Sequence, residues 1–246
     1  MNSKAIDLKR LGCLAVQVPE TSTAALGPSA KQQLVLTAER LFAMHGVDGV
    51  PLRQIGTAAG MGNKSAVQYH FGTKAALLQA ILTSRLEHLT RRRMLLEARM
   101  RVDDLRSVVE AHQLPIMELA EDEQCYYLPF LEQLLHHRGP EHPLETLPAA
   151  HVESHRAYVE RVAALIGQVP QRLRDTRIHQ ASLMCVHACA DRHRALVSGS
   201  PTLSYAEHVS HLLDGLVALL AATPSAETMA VLKEPTADRP ALRALP

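Results

Sequence analysis

Between Asn63 and Tyr69 the chain gathers side chains suited to touching a polyanion: Asn63, Lys64, Ser65, Ala66, Gln68 and Tyr69. Gln68 carries an amide that donates and accepts, the pattern that pairs with N6 and N7 of adenine and gives about 1–3 kcal/mol of discrimination when bidentate. Lys64 can reach a guanine edge or a phosphate, while Ser65 and Ala66 are small enough for close approach inside a major groove about 12 Å wide. This is the chemistry of recognition. For catalysis the chain offers no nucleophile or acid–base set at interpretable spacing, and neither H-E-x-x-H nor Glu-x-x-His occurs, so zinc-protease and di-iron ligand sets are missing and no catalytic residue is assigned.

Side chains on a short helix reach a groove only if other helices hold it there. Leu34, Ala38, Leu41, Phe42 and His45 recur at helical spacing and predict a helix that Ser29 caps and Gly46 stops. Pro51 suits the start of a second helix with Leu52, Ile55 and Ala59 inside, and Gly60 ends it. Met61 to Asn63 form a tight turn, and Lys64 to His70 make another short helix with Val67 and Phe71 facing back. Two short helices joined by a glycine-containing turn, apolar only within, predict a helix-turn-helix. Thr73 then caps one long helix expected to run to about Met100. Beyond it the pattern predicts helices from Asp103 to Ala120, Gln124 to His137, Pro148 to Ile166 and Pro170 to Leu196, and a last one capped by Ser204 with a stripe of Val209, Leu212, Leu213, Leu216 and Leu220. The fold class is all-α.

Charge agrees with this division. The 246 residues carry a net +1, but residues 1–100 hold 13 Lys and Arg against 6 Asp and Glu, or +7, and the remainder 13 against 19, or −6. A basic amino-terminal region beside an acidic remainder suggests a head that meets a polyanion and a body that does not. With 47% apolar residues, 3% aromatic and no Trp, the composition favours helices over a sandwich built on ring packing. No apolar run approaches the roughly 20 residues of a membrane span, so no membrane partner is expected. The patch from Leu11 to Val18 lacks the apolar core of an export signal, and four cysteines are too few for a disulfide scaffold, which points to a cytoplasmic protein.

The segment L-R-Q-I-G-T-A-A-G from Leu52 to Gly60, then S-A-V-Q-Y-H-F-G-T-K from Ser65 to Lys74 with Ala76, Leu77 and Leu78 after it, resembles the amino-terminal DNA-binding domain of the TetR family over roughly residues 30 to 85. The resemblance implies a recognition helix from about Lys64 to His70, Tyr69 and His70 near the DNA backbone, and Lys74 on a phosphate at a helix N-terminus, with Arg53 acting similarly. Two departures stand out. Met61, Gly62 and Asn63 fill a turn that usually holds two residues, and Gly56 stands where alanine is general.

The same resemblance implies that the later helices bind a ligand and dimerise. The expected organisation is a flexible arm at 1–28, a helix-turn-helix DNA-binding domain at 29–85, a helical ligand-binding and dimerisation domain at 86–222 and a loose tail at 223–246. Met117, Tyr126, Tyr127, Phe130, Leu134, His151, His155 and Tyr158 are the candidate walls of an apolar effector pocket. Ala181, Cys185, Ala188 and Cys189, with the leucine stripe of the last helix, suggest a surface that forms a four-helix bundle with a second copy. Histidines concentrate beyond residue 100, with His151 and His155 at i, i+4 and His208 and His211 at i, i+3. Those spacings raise metal sensing as a minor alternative, although no metal site and no cofactor is assigned. The leading expectation is a homodimeric transcriptional regulator, a repressor released from a palindromic double-stranded DNA operator by a mainly apolar small molecule. An architectural helix-turn-helix protein without ligand is the other alternative.

Overall fold

Ser29 starts the first helix with a reciprocal cap. Its hydroxyl accepts from the Gln32 N–H at 3.2 Å, and the Gln32 side chain accepts from the Ser29 N–H at 2.9 Å. In this computed structural model, which describes residues 29–63, 65–137 and 146–233, that helix is α1, Ala30–His45. Gly46 ends it with φ of 75°, a left-handed conformation that glycine adopts without steric cost. The expected arm at 1–28, Lys64, the loop at Gly139 to Pro143 and residues 234–246 of the expected tail lie outside the described residues.

Ten further helices follow among the described residues: α2 Leu52–Ala58, α3 Ala66–Phe71, α4 Lys74–Thr83, α5 Leu86–Glu97, α6 Leu105–Leu119, α7 Tyr127–His136, α8 Ala149–Leu165, α9 Gln171–Val197, α10 Tyr205–Ala221 and α11 Ala226–Lys233. Local chemistry sets most of their ends. Pro148 and Pro170 precede α8 and α9, Ser204 and Glu207 form a second capping box on α10, and Pro129 falls in the first turn of α7, where a missing N–H costs nothing. The cap of α6 is Asp104 rather than Asp103, accepting from the Arg106 N–H at 3.1 Å.

Three expectations change. The single helix from Thr73 to Met100 is two, because Thr83 and Ser84 turn their hydroxyls back on the helix: Thr83 donates to the Gln79 carbonyl at 2.9 Å and Ser84 to that of Ile81 at 2.6 Å. Hydroxyls that compete for helix carbonyls loosen the ladder where they sit. Part of the expected tail is helical, as α11. The proposed self-association residues are mostly internal: Ala181, Cys185 and Cys189 are fully buried, and Leu212, Leu213, Leu216 and Leu220 pack inward, where α10 meets α6 and α9. The leucine stripe closes the protomer's own core.

The reading head joins the larger body through α1 and α7, where the Phe42 and Phe130 rings lie 6.3 Å apart. Beside them Glu39, 1% exposed, stands 3.9 Å from Arg85 at the break between α4 and α5. Burial pushes the Glu39 carboxyl up from 4.5 to about 7 against the pull of Arg85. The native state therefore keeps a proton that the unfolded chain releases, and the stabilisation, complete below pH 4.5, is lost as pH rises through about 7. Glu39→Gln abolishes this linkage. Denaturant melts at pH 5 and pH 8 should show the variant gaining on the wild type with pH, by about 1–3 kcal/mol; a difference that does not change with pH would show that Glu39 is not protonated in the native state.

Candidate nucleic-acid interface

The turn between α2 and α3 is built from backbone bonds. Gly60, with φ of 68°, reverses the chain, and the Met61 N–H reaches the Gly56 carbonyl at 3.0 Å. Asn63 accepts from the Ser65 N–H at 2.9 Å through its side-chain oxygen, and its carbonyl accepts from Ala66 at 3.0 Å. The extra residue of the turn is thus absorbed by an Asx turn that leads into α3.

On α3, Ala66 and Val67 are buried, whereas Ser65, Gln68 and Tyr69 are exposed. Ala66, expected on the outer face, is instead buried beside Val67 as the inward pair of this short helix. Tyr69 is 83% exposed, a large ring that the protomer leaves in solvent. His70 is half-buried, its ring 5.1 Å from that of Tyr69 and edge-on to it. Arg53 is exposed on α2. Lys74 is turned inward, its ammonium 5.4 Å from the centre of the Phe42 ring, and burial lowers its pKa while Asp48 opposes the shift. A phosphate contact by Lys74 requires that side chain to swing out. Thr73 caps α4, accepting from the Ala76 N–H at 3.1 Å.

Sequence reasoning missed Lys31. It is exposed in the first turn of α1, with its ammonium 5.6 Å over the Phe71 ring at the end of α3. No Asp or Glu occurs from Gly49 to Leu86, so nothing acidic on α2, α3 or α4 opposes these cations. Exposed amide, hydroxyl and phenol on a projecting helix, flanked by cations, can read base edges and hold phosphates.

The eight candidate wall residues do not come together. Tyr127, His151 and His155 line one cavity of about 140 Å³ that α4 to α9 surround and that opens to solvent at His155. Tyr158 lies behind it, stacked on His112 with centroids 3.9 Å apart and planes within 5°. Met117, Phe130 and Leu134 are fully buried in the core, and Tyr126 sits on another surface, 5.1 Å from the His193 ring. Three polar residues unforeseen from the sequence share the cavity: Arg93, His112 and Gln113, all buried. A signal was present, since Arg93 continues the inward stripe of Leu86 and Leu89, and His112 and Gln113 lie between Val108, Val109 and Ile116 on the buried face of α6. Burial, together with the nearby Arg93 charge, pushes the His112 imidazole well below its ordinary range, takes His151 down to about 4 and lowers His155. Among the described residues no three His, Cys, Asp or Glu side chains converge as a metal ion requires.

This geometry defines a helix-turn-helix DNA-binding module carried by a larger helical body, and among the described residues no single helix is long and apolar enough to cross a membrane. The model for bacterial regulatory proteins of the tetR family matches residues 34–81, from α1 into α4, and identifies this region as the DNA-binding domain of a tetR-type transcriptional regulator. Among solved structures it resembles PfmR, a TetR family transcriptional regulator from Thermus thermophilus, at 19% identity over 78% of this chain and 99% of that one, with a TM-score of 0.50. It also resembles NalD, the secondary repressor of the MexAB-OprM multidrug efflux pump in Pseudomonas aeruginosa, at 23% identity over 76% and 94% of the two chains, with a TM-score of 0.45. SmeT, solved with triclosan, matches at 19% identity over 77% and 90%, with a TM-score of 0.43. These likenesses concern the fold. No curated protein matches the sequence.

Gln68→Ala should change sequence preference at one base pair by about 1–3 kcal/mol, whereas Arg53→Ala should weaken every duplex alike and lower the salt slope by about 1. Titrations of duplex DNA at several salt concentrations separate the two. The reverse assignment would show that α3 sits in another register on DNA.

Proposed function

We propose that the protein is a homodimeric repressor whose hold on its operator is released when a small molecule enters the cavity lined by α4 to α9. The observation that carries this reading is the Tyr127 hydroxyl. Its ring lines the cavity, and its O–H donates to the Leu82 carbonyl at 2.9 Å, in the last turn of α4. Two residues on, the ladder breaks at Ser84, and Arg85 faces Glu39 of α1. The other end of α4 abuts α3 through Gly72 and Thr73. A ligand that shifts the Tyr127 ring therefore pulls on one end of a helix about 15 Å long whose opposite end seats the recognition helix.

The mechanism is a population shift. The ligand binds better to a conformation in which α4 holds the two reading heads at the wrong separation, so operator affinity falls, and DNA weakens ligand binding by the same factor. Two copies reading a palindrome need recognition helices about 34 Å apart. The groove between α9 and α10 suits a second copy: it is lined by Met184, Ala188, His211 and Gly215, with a volume of about 480 Å³. Its small residues allow close approach. This replaces the buried leucine stripe as the self-association surface.

The test begins with salt-dependent retention of duplex DNA from the upstream region of the protein's own gene, with and without a library of small molecules. Binding that every compound leaves unchanged favours the architectural alternative, and release by metal ions alone favours metal sensing. For a releasing compound, Tyr127→Phe should keep operator affinity but raise the dose for release about tenfold, matching one lost coupling of about 1.4 kcal/mol. An unchanged dose would exclude Tyr127 as the link.

A further inference from the structure

Arg93 is 3% exposed, in the third turn of α5, and lines the cavity. Its Nε donates to the His112 carbonyl at 3.0 Å, but its Nη1 has no hydrogen-bond partner. Glu97, one turn along α5, is the carboxylate that bears most on it, and Glu97 is already held 3.5 Å from Arg161. Among the described residues no carboxylate lies within 4.0 Å of the Arg93 guanidinium. Burial lowers its pKa, yet a guanidinium stays charged across the physiological range. A buried, unpaired cation is costly, and the ordinary remedy is an anion.

The rest of the cavity carries no compensating charge. His112 and His151 each present an Nδ1 without a partner, and the Tyr158 hydroxyl lies by Gln113 without a hydrogen bond of normal geometry. The imidazoles are held neutral by burial and by Arg93, so they offer hydrogen bonds and no charge. Leu82, Leu86, Leu89, Ile116, Leu131 and Val186 supply apolar wall. A volume near 140 Å³ is close to that of an engineered cavity, about 150 Å³, that takes one benzene ring.

We propose that this cavity takes a small organic carboxylate, its charged head on Arg93 and its body, one ring or a short apolar chain, against the leucines. The inference rests on the reading of the cavity as the effector site. A carboxylate fits better than a phosphate because one guanidinium edge and neutral imidazoles answer a single charge, and Nε is already committed to His112.

The test uses the full chain, with calorimetric titration and thermal melts against benzoate, cyclohexanecarboxylate and hexanoate, and against benzamide, benzyl alcohol and benzylamine. At least one carboxylate should bind tenfold or more tighter than its uncharged counterpart and raise Tm. Arg93→Met should abolish that preference and Arg93→Lys should keep part of it; if Arg93→Met does not fold, the charge series on the wild type decides. Equal or tighter binding of the neutral or amine compounds overturns the proposal, as does failure of all three carboxylates to bind. Retention of upstream DNA, measured on the same preparation, keeps the outcomes apart: with DNA retained and no carboxylate bound, only the anion inference falls, whereas failure to retain DNA removes the regulator reading beneath it.

Discussion

A buried hydrogen bond, from the Tyr127 hydroxyl to the Leu82 carbonyl, links the cavity to the end of α4, beside the Phe42 and Phe130 rings through which α1 joins α7. Tyr127 is 1% exposed, and burial pushes its phenol far above the ordinary range, so it remains a donor. The acceptor lies close to where the α4 ladder stops, in the stretch where helix carbonyls need partners from outside the helix. Without the hydroxyl, a buried carbonyl loses a partner at a cost of about 1–3 kcal/mol. The break at Ser84, set by the Thr83 and Ser84 hydroxyls, and the approach of Arg85 to Glu39 both fall within three residues of this bond. Thr73 and the recognition helix hold the other end of α4.

Much of the fold was legible in the sequence because helix ends are decided locally. Ser29 with Gln32, Ser204 with Glu207, Gly46, Pro148 and Pro170 act within a few residues of themselves, and each marks an end. The break between α4 and α5 was not legible, since an apolar stripe runs through it and a Thr-Ser pair is often tolerated inside helices. The face of Ala66 was also hidden, because six residues are too few to establish a period. The exposure of Gln68 and Tyr69 was easier to read: polar and aromatic groups on a helix whose other side is buried have only solvent or a partner to meet.

The cavity shows the opposite limit. Phe130 and Met117 are the residue types that line pockets, and they are also the types that fill cores, which is where they lie. Arg91, Arg92 and Arg93 look alike in the sequence, yet each step along a helix turns a side chain by about 100°. Arg91 pairs in solvent with Glu87, Arg92 reaches Glu118 at 2.7 Å, and Arg93 enters the core. A basic run that reads as part of the DNA-binding charge thus contains a cation that faces inward. The near-zero net charge has the same character, being a basic head without acidic residues from Gly49 to Leu86 joined to an acidic body.

The central claim is that cavity and operator are two sites on one equilibrium. The most direct measurement is a pair of equilibrium titrations with one releasing compound: operator affinity with and without saturating compound, and compound affinity with and without saturating operator. The account predicts the same fold-change in both, between about 5 and 150, because coupling free energy is reciprocal. Operator affinity that does not move when the cavity is filled would contradict it.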